Sequence, residues 1–286
     1  MNEIDILCFD IQDVGARFYT YIYTMSYAME AAAKYNKEFV VFDRPNPVGD
    51  EVEGNILNLE YRSFVGYHQI VERHGMTVGE LAKLFNEEFQ INTKLHVVKM
   101  KGYDKKTDFS EYNLKWVSPS PNIPNVESVY YYLATCYFEG TNVSEGRGTA
   151  IPFKVFGAPW LKADRLICKL KELNLAGIEY KKTYFTPYTS KHAGTMCVGV
   201  ELFITDFKTF KPIVTGLSIL SILNDIQKEL IYREPWRPGG KQMIDYLVGD
   251  DFIRQNSLKI EEINKKIKFD SAEFIKTKEK YQLYEN

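Results

Sequence analysis

No run of apolar residues in this chain is long enough to cross a bilayer as a helix, and its first residues show neither a basic leader nor an apolar stretch ending in small residues. Charge of one sign is also missing. The 36 Lys and Arg against 38 Asp and Glu leave a net charge of −2, so there is no basic field of the kind that binds nucleic acid. Cysteine is scarce: Cys8, Cys136, Cys168 and Cys197 lie far apart with no CxxC spacing, and read as free thiols rather than a redox pair or a zinc knuckle. The four histidines form no HxxxH or HxH, so no metal site is expected. A GxSxG elbow is absent, which argues against a serine hydrolase. GxGxxG is absent too, and the turn at residues 10–15 (DIQDVG) after the first apolar run offers a single glycine, so no dinucleotide or other cofactor is expected. Carboxylates are left to carry whatever chemistry there is.

With 286 residues the chain is long enough for one large or two modest domains. Residues 4–9 (IDILCF) form a continuous apolar run, the signature of a strand buried on both faces of a parallel sheet. Residues 19–35 have the length and alanine content of a helix and lead to a second strand at 39–42, making one β-α-β unit. A second helix is predicted over 78–89, opened by Thr77 with Glu80 three residues on as a capping box, and a third strand over 94–100. The fold class is therefore α/β: a Rossmann-like, mostly parallel sheet domain followed by a smaller α+β domain. The proline-broken, aromatic stretch beginning near Trp116 marks the junction, giving domains at 1–125 and 126–286. In the second, helices are predicted near 163–173 and 215–230, a strand pair at 178–185 and 197–204, and a helical tail after Pro238 with solvated Lys-Glu faces.

The densest information lies at residues 139–152, EGTNVSEGRGTAIP. Two carboxylates (Glu139, Glu145), Arg147, three glycines and four hydroxyl or amide side chains crowd into fourteen positions. Glycines let backbone amides approach a ligand or turn with positive φ. The acids and the arginine supply proton transfer and an anion clamp. A solvated Gly-rich turn is the competing reading. In open α/β sheets ligands sit beyond the carboxyl ends of strands, so Asp10, Gln12 and Asp13 after the first strand and Asp43, Arg44 and Asn46 after the second are the natural polar lining. Asp13 could equally cap the following helix, and Arg73 and His74 could be either site or structural residues.

Taken together, DIQDVGARFYTYIYT at residues 10–24, DRPNPVG at 43–49, SFVG at 63–66, RHGMTVGELA at 73–82, PSPNIP at 119–124, EGTNVSEGRGTAIPF with GAPW at 139–160, and VGVELFITD at 198–206 resemble the NamZ-type exo-β-N-acetylmuramidases across essentially the whole chain. The resemblance implies a cleft between the two domains that removes terminal β-linked N-acetylmuramic acid from the non-reducing end of peptidoglycan, in a bacterial cell-envelope or secreted setting. Members of that family carry a further segment ahead of the DIQDVG strand, with a PEHG motif of its own. On that basis this chain is expected to be weakly active or inactive, and to self-associate through an uncovered sheet edge.

Glycoside hydrolysis usually needs a carboxylic acid to protonate the leaving oxygen and a second carboxylate as base or nucleophile; an N-acetyl oxygen can replace the latter. The assignments that follow are Glu145 as the catalytic carboxylate, with Glu139 or Asp10 as the second. Arg147 is the clamp for the lactyl carboxylate. Gln12, Asp13, Arg17, Tyr21, Arg44, Asn46, Arg73, His74, Ser120, Asn122, Asn142 and Ser144 are the expected substrate lining. A non-catalytic glycan-binding protein and a small-metabolite hydrolase or phosphatase using Asp10 and Asp13 are the alternatives.

Overall fold

A computed structural model describes residues 3–235 and 237–284. The first half contains strand β1 (Ile6–Phe9), helix α1 (Tyr21–Lys34), β2 (Glu38–Phe42), α2 (Val78–Glu88) and β3 (Lys94–Val98). All three strands are parallel in the order β1-β2-β3, with Leu7 opposite Phe39 and Phe39 opposite Leu95. The predicted capping box opens α2: the Glu80 amide donates to Thr77 Oγ1 at 3.3 Å and the Thr77 amide to Glu80 Oε2 at 3.0 Å.

Both helices pack on one face of this sheet. Alternation on β2 decides which side chains they cover: Phe39 and Val41 point into a core with Ile22, Met25, Met29, Leu81 and Phe85. The opposite face is bare among the described residues, with Ile6, Phe42 and Val98 exposed at 48%, 41% and 48%. β1 is an edge strand here, and the apolar run records a demand for burial that only one layer of helices meets.

The second half continues with α3 (Glu127–Thr135), β4 (Val155–Ala158), α4 (Ala163–Glu172), β5 (Ile178–Phe185), β6 (Cys197–Ile204), α5 (Pro212–Ile226), α6 (Met243–Val248) and α7 (Ile260–Lys278). Its sheet is antiparallel in the order β4-β6-β5. α5 starts at Pro212, three residues earlier than its periodicity suggested, because proline fits the first helical position, where the missing N–H is not needed. α3 and β4 were not foreseen: prolines up to Pro124 mask the first, and four residues carry too short a pattern for the second.

The halves share their packing. Val14, Ala16, Phe18 and Val48 belong to the same core as α3, α5 and β6. The tail is helical, but it is more than a solvated helix. Ile263 and Ile267 of α7 join that shared core, while Phe274 and Tyr281 return to the core beneath the parallel sheet.

Candidate active site

Residues 139–152 run from a 3-10 turn (Cys136–Gly140) to β4, and close approach dictates their sequence. Ser144 and Gly157 exchange both backbone hydrogen bonds, at 2.8 and 2.9 Å, stapling the loop to β4. Gly146 and Gly148 have φ of 77° and 80°; a Cβ at Gly148 would stand 2.5 Å from the Thr189 carbonyl oxygen. Glycine is required there on both counts. Phe153 has φ of 65° without being glycine, a sparsely populated state for a bulky residue. It is held by its own amide donating to the Glu145 carbonyl at 2.7 Å and by Thr135 Oγ1 donating to its carbonyl at 2.8 Å.

That backbone brings Glu139, Glu145 and Arg147 together. Arg147 Nη2 donates to Glu139 Oε1 at 2.6 Å, and Arg147 Nε lies 3.4 Å from Glu145 Oε1. The guanidinium sits 5.0 Å from the centre of the Phe153 ring. Glu145 is only 2% exposed, whereas the side chains of Arg147 and Glu139 keep 32% and 25% of their surface. Burial works against the charge on Arg147, but Glu139 and Glu145 outweigh it and hold the guanidinium pKa above its ordinary value.

A fourth member of the cluster was invisible in the sequence. Lys191, from the loop between β5 and β6, places Nζ 2.7 Å from Glu145 Oε2 and donates to the carbonyls of Phe138 and Thr141 at 2.5 and 3.1 Å. Burial pulls its pKa below the usual lysine value, against the opposing pull of Glu145. Beside it His192 Nε2 donates to the Asn142 carbonyl at 2.7 Å. A lone Lys-His in a polar hairpin loop has no motif. The one indirect sign was Gly148, whose missing side chain makes room for that loop.

The other expected lining residues form a second constellation, beyond the ends of β1 and β2. Asp10 pairs with Arg44 at 2.7 Å on the rim of a groove of about 430 Å³ that also takes in Lys101, Tyr103 and Tyr112. Gln12 Nε2 donates to the Pro45 carbonyl at 2.9 Å. Asp13 Oδ2 accepts from the Gly15 amide at 2.7 Å and lies 3.4 Å from His74 Nε2, while His74 Nδ1 accepts from the Met76 amide. Asn46 bridges the Met76 carbonyl and the Val48 amide. Tyr21 hydroxyl donates to the Pro119 carbonyl at 2.8 Å, and Ser120 and Asn122 sit half-buried on the same proline-rich segment.

Between the constellations runs a line of aromatic rings. Tyr21 to Tyr19, Tyr19 to Tyr132 and Tyr132 to Phe153 are separated by 4.9, 5.8 and 4.9 Å, and Arg147 lies over the last. Asp10 has its ion pair with Arg44, in the constellation beyond the parallel strands.

Several expected binders are committed to holding the fold. Arg17 is completely buried. Nη1 donates to the carbonyls of Asn55 and Ile70, and Nη2 to Glu72 at 3.0 Å and to the carbonyls of Leu247 and Val248. It therefore ties residues 55–72 to α6 and faces no cleft, which corrects its assignment to the substrate lining. Arg73 is likewise engaged by the Val48 carbonyl and Glu51, with its side chain 3% exposed. Asn142 bridges the Glu229 carbonyl and the Ile231 amide, and Ser144 Oγ accepts from the Gly146 amide, so both shape the loop. Among the described residues no three His, Cys, Asp or Glu side chains converge as a metal site, and no helix is long and apolar enough to span a membrane.

Fold and site together describe a two-part α/β enzyme with a carboxylate-arginine centre, and comparison places it among known proteins. The family profile described as exo-β-N-acetylmuramidase NamZ, N-terminal, matches residues 1–127, and its C-terminal counterpart matches residues 130–284. The chain belongs to this family of glycosidases. It is 48% identical over 288 residues to the peptidoglycan β-N-acetylmuramidase NamZ of Bacillus subtilis (strain 168), a match that takes in 99% of this chain and 68% of that protein. Two solved DUF1343 family proteins from Bacteroides fragilis NCTC 9343 superpose with TM-scores of 0.89 and 0.79, each 34% identical, covering all of this chain and 76% and 77% of theirs.

Proposed function

We propose that this protein removes terminal β-linked N-acetylmuramic acid from the non-reducing end of peptidoglycan fragments, with Glu145 as the working carboxylate. One observation carries the reading: two glutamates of different exposure share a single arginine on a loop whose every glycine is dictated by close packing. Glu145 turns one oxygen to Arg147 and the other to Lys191, and we assign it the accepting role. That suits a base, or a group that orients the 2-acetamido function for attack on the anomeric carbon. Glu139, a quarter exposed and held through one oxygen, is the second carboxylate and the donor to the leaving oxygen. Asp10 stands as its rival, in the groove beyond the parallel strands.

Muramic acid differs from glucosamine in its lactyl carboxylate, which calls for a cation. Of the four arginines considered, Arg17 and Arg73 are sealed in the protein and Arg44 is held by Asp10. Arg147 contacts its glutamates through Nε and Nη2 and leaves Nη1 without a protein partner among the described residues, so it retains a donor for the lactyl group. The test is turnover of a chromogenic β-N-acetylmuramide. Glu145→Gln is expected to lower kcat by at least about 10²-fold with folding unchanged, the order usual for a positioned acid or base. Near-normal turnover in that variant removes Glu145 from the mechanism. A wild-type protein that binds muramic acid without cleaving the muramide would be a glycan-binding protein instead.

A further inference from the structure

The loop at residues 186–196 is built as a strap across the site loop. The Tyr188 amide donates to the Gly148 carbonyl at 2.8 Å, Thr189 packs where Gly148 has no side chain, and His192 holds the Asn142 carbonyl. Between these ties stands Lys191. Its neighbours Ser190 and His192 both adopt left-handed backbone, with φ of 70° and 58°, although neither is glycine. Such conformations persist only where surrounding contacts impose them. Here they turn a single ammonium inward onto two acceptors, the carbonyls of Phe138 and Thr141, which bracket Glu139, and into an ion pair with the carboxylate of Glu145.

We infer that Lys191 is a positioning residue of the hydrolytic site, fixing the Glu145 carboxylate and the turn that carries Glu139 in one geometry. The inference rests on the muramidase reading above. Lys191 touches no reacting atom: it acts through Glu145, and its ammonium holds Oε2 while Arg147 Nε addresses Oε1. Placement of this kind governs the rate of the chemical step more than the affinity for substrate, since a misplacement of about 1 Å costs on the order of 10²-fold.

The experiment is a double-mutant cycle on the intact chain with the chromogenic β-N-acetylmuramide. Lys191→Met is expected to lower kcat by about 30-fold with KM within about threefold of wild type, and Lys191→Arg to recover most of the loss. In a Glu145→Gln background, Lys191→Met should cost nothing further, because the group it positions is already gone. If Lys191→Met fails to fold, Lys191→Gln, which still donates to a carbonyl, takes its place in the cycle. Wild-type kcat in the Lys191 variant, or losses from the two substitutions that multiply independently, would overturn the inference while leaving Glu145 in its role. Normal turnover by Glu145→Gln alone removes Glu145 from the mechanism and this inference with it, whereas a wild-type protein that leaves the muramide uncleaved overturns the muramidase reading itself.

Discussion

Arg17 and Arg147 both sit in motifs that carry the family resemblance and both pair with glutamate, yet they do opposite work. Arg17 and Glu72 are both wholly buried, and the guanidinium feeds four carbonyls from three separate segments. Arg147 keeps about a third of its side-chain surface, faces two glutamates and retains a donor. An arginine sealed among backbone carbonyls and a buried glutamate is a fastener, and one that still looks outward among acids is available to a ligand. The distinction lies in burial and partner count, which neither motif displays.

The comparison breaks most sharply in stability. Arg17→Leu should destabilise the protein by about 3–5 kcal/mol in urea denaturation, because it takes the buried cation from Glu72 and the donor from the carbonyls of Asn55 and Leu247 in a dry interior. Arg147→Ala should shift stability by no more than about 1 kcal/mol, as expected of a pair that reaches solvent. Similar losses from the two substitutions would erase the difference between fastener and site.

The next effect is in binding. Arg147→Ala is expected to weaken N-acetylmuramic acid by about 2 kcal/mol or more in calorimetry and to change N-acetylglucosamine far less, since only the first sugar carries the lactyl carboxylate. Equal losses for both sugars would make Arg147 a loop-shaping residue like Asn142 and Ser144.

What could be read in advance follows the same division. Local chemistry was legible: the Thr77–Glu80 box formed as its spacing demands, and Gly146 and Gly148 turn with the positive φ that glycine permits. The meeting of Glu139, Glu145 and Arg147 was legible because all three lie within nine positions of one loop. Long-range commitments were not. Lys191 enters from a hairpin 46 residues beyond Glu145, and Arg17 is claimed by α6, 230 residues away.

Two buried glutamates supply the finest contrast. Glu145 answers to two cations. Glu53, 4% exposed, accepts from the Val214 amide at 2.8 Å near the start of α5 and has Arg73 and Lys211 only as more distant charges. Desolvation pushes its pKa up to about 7, against the Val214 amide and Arg73, which pull it down. The folded state therefore holds a proton on Glu53 at pH values where an unfolded chain, with an ordinary carboxylate near 4.3, has released it. The stability this contributes is complete below about pH 4.5 and is lost as the pH rises through about 7. Glu53→Gln keeps an acceptor for the Val214 amide and removes the titration. Relative to wild type, the variant should gain stability between pH 5 and pH 8, by about 2–3 kcal/mol given the rise from 4.5 to about 7 and about 1.4 kcal/mol per pKa unit. Urea midpoints measured across that range give the answer, and parallel curves for the two proteins would mean that Glu53 is ionised in the fold and held by Arg73 after all.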